Sequence, residues 1–138
     1  METIYERERR FIKDFNEIGD SFDQYAYLIE LSCLLPPLPE ELKTDENVVS
    51  GCQSTVWLDI RTDGGIFRFS SDSNTLIIKG VLYILQELFN GQAVSEVATA
   101  NLSFLRETAI MDTFESSRQK GLGYVIARLQ AAAGAAKQ

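Results

Sequence analysis

"TVWLDIRTDGGIFRFS", residues 55–70, decides the fold. Its first half alternates. Val56, Leu58 and Ile60 point one way, while Thr55, Trp57, Asp59 and Arg61 point the other. A period of two marks a strand with one buried face. Asp63-Gly64 follows, a strong hairpin signal because glycine accepts a positive φ at little cost. "IFRFS" then returns, with Phe67 and Phe69 able to share the core face of Val56, Leu58 and Ile60. The expectation is an antiparallel hairpin with strands near 55–61 and 66–70.

On either side of this hairpin the pattern turns helical. "SDSN" at 71–74 reads as a loop and cap. "TLIIKGVLYILQELFNGQ" at 75–92 is the most apolar segment, and Lys79, Gln86 and Asn90 form one narrow polar stripe on it. That predicts a helix over 74–90 buried on most of its circumference, ending at Asn90-Gly91. Residues 95–112 suit one or two short helices. A last helix starts near Ser116, where Ser116 and Gln119 have capping-box spacing, and its core stripe is Leu122, Val125, Ile126 and Leu129. Upstream, Ile4, Phe11, Ile12, Phe15 and Ile18 recur at helical spacing, and Gly19 can end that helix. Asp20 can cap a second helix with the stripe Phe22, Tyr25, Ile29 and Cys33, stopped by "LLPPLPEEL". "NVVSGCQS", residues 47–54, suits a short strand and a loop. The sum is an α+β fold, a small antiparallel sheet packed with helices, in one domain over 1–138.

Composition narrows the chemistry. The chain has 138 residues, 45% of them hydrophobic, which suits one domain with a real core. Its formal net charge of -7 argues against a nucleic-acid or anionic-membrane binder, which would need a basic face. No stretch reaches the roughly 18 apolar residues of a spanning helix. "METIYERERRFIKDF" is too charged for a secretory signal, so a soluble cytosolic protein is expected, or an organelle protein already without its targeting segment. The chain contains no histidine, which excludes a His-activated nucleophile and zinc held by His within it. Two cysteines are too few for a four-thiolate metal or iron–sulfur site.

The two thiols read differently. Cys33 follows Ile29 by four residues on an apolar stripe, so it is expected in the core as a small hydrophobe. Cys52 sits among Gly51, Gln53 and Ser54, with no apolar neighbour to explain it. From those neighbours alone it is either a reagent or an incidental loop thiol. A reactive thiol needs a positive partner, and without histidine an arginine, a lysine or a helix N-terminus must serve. Arg118, in the first turn of the last helix, is a candidate; a solvated basic turn is the plainer reading. Trp57, on the polar face of its strand, is either an anchor for a partner or covered by another layer.

"GCQSTVW" at 51–57 resembles the signature of SufE-type sulfur acceptors, the cysteine desulfuration proteins. "SDSNTLIIKG" at 71–80, "SRQKGLGYVIARL" at 117–129 and the early "YLIELSCLLPPLPEEL" resemble further segments of that family, in the same order. The resemblance implies the fold shared with iron–sulfur scaffolds of the IscU/NifU type. It also implies that Cys52 accepts persulfide sulfur from a pyridoxal-phosphate-dependent, SufS-like cysteine desulfurase. The sulfur would then pass to a SufBCD-like scaffold complex, with stimulation of the desulfurase. No cofactor or metal on this chain is implied, and the activity is that of a carrier and activator, not a stand-alone enzyme. Arg118 and Asp72 are implicated near the site, and Gly51, Gln53, Ser54 and Trp57 in partner contact. A second copy of the chain is a further candidate partner. Three other readings compete: a cluster scaffold, which lacks thiols here; a Cys33–Cys52 dithiol protein, which lacks a CxxC arrangement; and a regulatory module that only binds the desulfurase.

Overall fold

In the computed structural model, which describes residues 2–136, eight helices and strands follow one another. They are α1 (Ile4–Ile18), α2 (Ser21–Ser32), β1 (Val56–Arg61), β2 (Arg68–Ser73), α3 (Leu76–Phe89), α4 (Val94–Ala98), α5 (Phe104–Glu107) and α6 (Ser116–Ala135). The two strands pair antiparallel, with Val56 opposite Ser73, Ile60 opposite Phe69 and Arg61 opposite Arg68. An α+β fold with a small antiparallel sheet is therefore present, as the alternation predicts.

The return strand differs from its expected bounds at both ends. It begins later because Phe67 pairs instead with the chain after α3: its N–H donates to the Gln92 carbonyl at 2.8 Å, and its carbonyl accepts from Gly91 at 2.9 Å. The connection is thus wider than a two-residue turn and holds a short 3-10 turn at Asp63–Gly65, with Gly64 at φ 62 and Gly65 at φ 78. The strand also runs on through Ser71–Ser73, expected as loop. Ser71 and Ser73 face inward and are buried, and their hydroxyls donate to Gln86 Oε1 and the Thr55 carbonyl. A serine whose hydroxyl is satisfied tolerates the core, which the apolar pattern cannot reveal.

Helix α3 lies against the inner face of the hairpin and is buried on most sides. Its polar stripe finds partners: Lys79 meets Asp72, and Gln86 meets Ser71. Just beyond the helix end, the Asn90 amide accepts from the Phe69 N–H at 2.8 Å and donates to the Phe69 carbonyl at 3.1 Å, so a side chain continues the ladder. Helix α2 crosses α3 at Gly80, where an added Cβ would lie 2.3 Å from the Leu28 carbonyl oxygen. Helix α1 begins with a capping box between Thr3 and Glu6 and ends at Gly19, at φ 97.

Two helical expectations need correction. On α2 the buried residues are Gln24, Leu28, Leu31 and Ser32, not the stripe Phe22, Tyr25, Ile29 and Cys33; Phe22 is 79% exposed and Cys33 is exposed. This helix is apolar on several sides, so periodicity does not choose the face. The amide of Gln24 helps to choose it, donating to the Gly19 carbonyl at 3.1 Å and accepting from Ala109 N–H at 2.9 Å. The capping box at Ser116 does not form. Glu115 precedes the helix without a side-chain cap, and Gln119 donates instead to the Met111 and Phe114 carbonyls at 2.9 and 3.2 Å. Among the described residues no helix is long and apolar enough to cross a membrane.

Candidate functional site

The segment before β1 lies along one face of α6. Arg128 donates to the carbonyls of Glu46 and Val48, the Tyr124 ring packs on Gly51, Gly121 faces Cys52, and the Ser117 hydroxyl donates to Gln53 Oε1 at 2.7 Å. Residues 117, 121, 124 and 128 recur at steps of four, three and four, so one helical stripe holds the whole segment. On its other flank the loop is tied to the turn before α3. Thr75 Oγ1 donates to Ser54 Oγ at 2.7 Å, and the Thr55 N–H donates to Asn74 Oδ1 at 3.1 Å. Gly51 sits at φ 90 under the aromatic ring, where a Cβ would be only 2.8 Å from ring carbon. A residue with a side chain would be strained there twice over.

Cys52 is half-buried, and its Sγ donates to the Gly121 carbonyl at 3.3 Å. The thiol borders a void walled by Val56, Ile78, Leu122 and Val125. That void measures about 10 Å³, room for roughly one water-sized group. Burial pushes the Cys52 thiol above its ordinary pKa, so at neutral pH the group is stored as a neutral hydrogen-bond donor. Arg118 lines the same void, and its Nε is buried with no acceptor among the described residues.

Asp72 and Trp57 form a separate cluster. They stand opposite each other across the hairpin. Asp72 is 3.2 Å from Lys43 Nζ and 3.6 Å from Lys79 Nζ, and the Lys43 ammonium lies 5.3 Å from the centre of the Trp57 ring. Trp57 is half-buried, its backbone bridged to Val48, so the polar face of β1 is partly covered. The structure thus joins Cys52, Gln53, Ser54 and Arg118 around one void, with Gly51 next to them under the Tyr124 ring and Asp72 and Trp57 outside the lining. Cys33 stands exposed at the end of α2, and both cysteines are free.

Sequence reasoning misses Gly121, Tyr124, Ser117 and Ile78. One signal was available: glycine inside a helix costs about 1 kcal/mol against alanine, so Gly121 implies a packing reason.

The shielded thiol has a measurable signature. At pH 7.5 Cys52 should react with iodoacetamide about tenfold more slowly than Cys33, since a raised pKa and burial both lower the accessible thiolate. The Cys52 rate should keep climbing as pH passes the ordinary thiol range of about 8.5. Peptide-resolved mass spectrometry reads both rates, and equal rates at pH 7.5 would contradict the shielding.

The chain as a whole is similar to known proteins. The family model described as "SufE: Fe-S metabolism associated domain" matches residues 9–133. An uncharacterised SufE-like protein of Rhizobium etli is 34% identical over 126 residues, covering 88% of this chain and 85% of that protein. The cysteine desulfuration protein SufE of Wigglesworthia glossinidia brevipalpis is 31% identical over 117 residues, covering 83% of this chain and 81% of its own length. A solution structure of a hypothetical protein from Thermus thermophilus superposes with a TM-score of 0.75 at 21% identity, over 93% of each chain, a likeness of fold.

Proposed function

Since the chain belongs to the SufE family, whose place is in Fe–S metabolism and cysteine desulfuration, we propose that Cys52 is a sulfur acceptor. It takes persulfide sulfur from a cysteine desulfurase and carries it toward a scaffold on which iron–sulfur clusters are assembled.

One observation carries this reading: a neutral thiol at a loop, held on the Gly121 carbonyl beside a void sized for one further group. A thiol kept for packing alone would not need a pinned loop, an unpartnered arginine donor and spare room together. In the transfer, the loop leaves α6 and Cys52 loses its proton to solvent, where the burial that raised its pKa no longer acts. The thiolate attacks the outer sulfur of the donor persulfide. A new S–S bond forms on Cys52, the donor's S–S bond breaks, and the donor cysteine departs as a thiolate, so no outside oxidant is required. When the loop closes, the terminal sulfur enters the void, and Arg118 Nε–H supplies the donor that an anionic sulfur lacks. Gly51, Gln53 and Ser54 meet the desulfurase directly. Trp57 and Asp72, fixed on the adjoining hairpin, form the rigid edge of the same contact surface.

Incubation with a desulfurase and cysteine, followed by mass spectrometry without reductant, tests this. The expected result is added mass of roughly 32 Da per sulfur on the Cys52 peptide and none on the Cys33 peptide. Sulfur on Cys33 alone, or on neither, would overturn it.

A further inference from the structure

We propose that Tyr124 is a positioning residue that holds Cys52 closed. Its ring, pressed on the Gly51 backbone, keeps the thiol on the Gly121 carbonyl, and a partner that displaces the ring frees the loop. The proposal deepens the acceptor reading and rests on it for its purpose.

Three features single out this side chain. The first is contact geometry. At Gly51 the notional Cβ lies 2.8 and 2.9 Å from two ring carbons of Tyr124, so the ring lies directly on bare backbone. Gly51 adopts φ 90, which presents that bare surface and which other residues rarely accept. Glycine and ring therefore specify each other, and Cys52 is the next residue along.

The second is the character of the remaining ties. Within residues 51–54 the loop's other links to α6 are the hydrogen bond from Ser117 to Gln53 and the thiol's bond to Gly121; the Arg128 bonds act upstream, at the Glu46 and Val48 carbonyls. The Ser117 bond lies at the surface, where water replaces it at small net cost, and a thiol is a weak donor. An aromatic ring on backbone excludes water instead, and its loss on opening has no aqueous substitute. The ring contact thus contributes most of the local resistance to peeling at residues 51–54, while Arg128 anchors the chain upstream.

The third is access. Tyr124 is 50% exposed, although it covers the loop. A protein docking over residues 51–54 reaches the ring without entering the core. Tyr124 follows Gly121 by three positions on the same helical face, so a rotation of its side chain leaves the carbonyl that holds Cys52 in place.

The test uses the full chain in a Cys33→Ser background and needs no desulfurase, so its outcome is separate from whether Cys52 accepts sulfur. The readout is the alkylation rate of Cys52 by iodoacetamide at pH 8. Tyr124→Ala should raise it roughly five- to tenfold, the gain expected when one aromatic contact no longer opposes local opening. Tyr124→Phe should match the parent, because ring carbons make the contact. Gly51→Ala should also raise the rate, since its methyl group drives the ring away from the other side. Hydrogen exchange separates gating from general loosening: amides of α3 should keep their protection in Tyr124→Ala. A parental rate in Tyr124→Ala, equal acceleration in Tyr124→Phe, or a matching loss of protection across α3 would each overturn the proposal.

Discussion

Cys52→Ser is expected to abolish persulfide formation on this chain, and with it the stimulation of sulfide release by a desulfurase supplied with cysteine. The substitution is mild for the fold. A serine hydroxyl donates to the Gly121 carbonyl as the thiol does, and the flanking ties from Ser117 and Thr75 do not involve residue 52. Its effect on chemistry is nearly total, because a hydroxyl is hardly ionised near neutral pH and cannot carry transferable sulfur. The stimulation should be lost, leaving the rate of the desulfurase alone. The measurement is sulfide release with wild-type chain, with Cys52→Ser and with neither. Full stimulation by Cys52→Ser would remove the acceptor reading and leave a regulatory module that acts by binding.

Gly80→Ala should be the most damaging methyl addition among the helical glycines. The new Cβ would meet the Leu28 carbonyl oxygen at 2.3 Å and two Leu28 side-chain carbons at 2.8 and 2.9 Å. A backbone oxygen cannot rotate aside, so α2 must move off α3. Overpacking of this kind costs about 3 kcal/mol. Better helix propensity returns about 1 kcal/mol, so steric conflict wins and the net loss is about 2 kcal/mol. For a chain of this size that lowers the melting temperature by about 8 °C. Gly123→Ala provides the contrast, since nothing lies within 4 Å of its added Cβ. A thermal melt in which the two variants behave alike would show that the α2–α3 approach is not so close.

What the sequence discloses follows from where each signal resides. The hairpin is legible because Val56 and Leu58 alternate with polar residues, and both are almost fully buried. The extension of β2 is not, because Ser71 and Ser73 look like loop and become core only through bonds to Gln86 and Thr55. The orientation of α2 is hidden for the opposite reason: too many apolar residues offer too many faces, and a buried glutamine amide arbitrates. At the site, Cys52 stands out by its neighbours. Its holders do not, because they come from a helix about seventy positions away, and no local pattern ties Gly51 to Tyr124.

That separation also orders events during synthesis. Gly121, whose carbonyl holds the Cys52 thiol, is made 69 residues later. At about 5–20 residues per second, a growing chain has already polymerised Cys52 for roughly 3–14 s before Gly121 is added. The void, the arginine donor and the aromatic cover arrive with the same helix. A nascent chain that has left the ribosome as far as β1 therefore carries a bare thiol, open to any oxidant or persulfide it meets. Shelter for the sulfur is among the last properties the newborn molecule acquires.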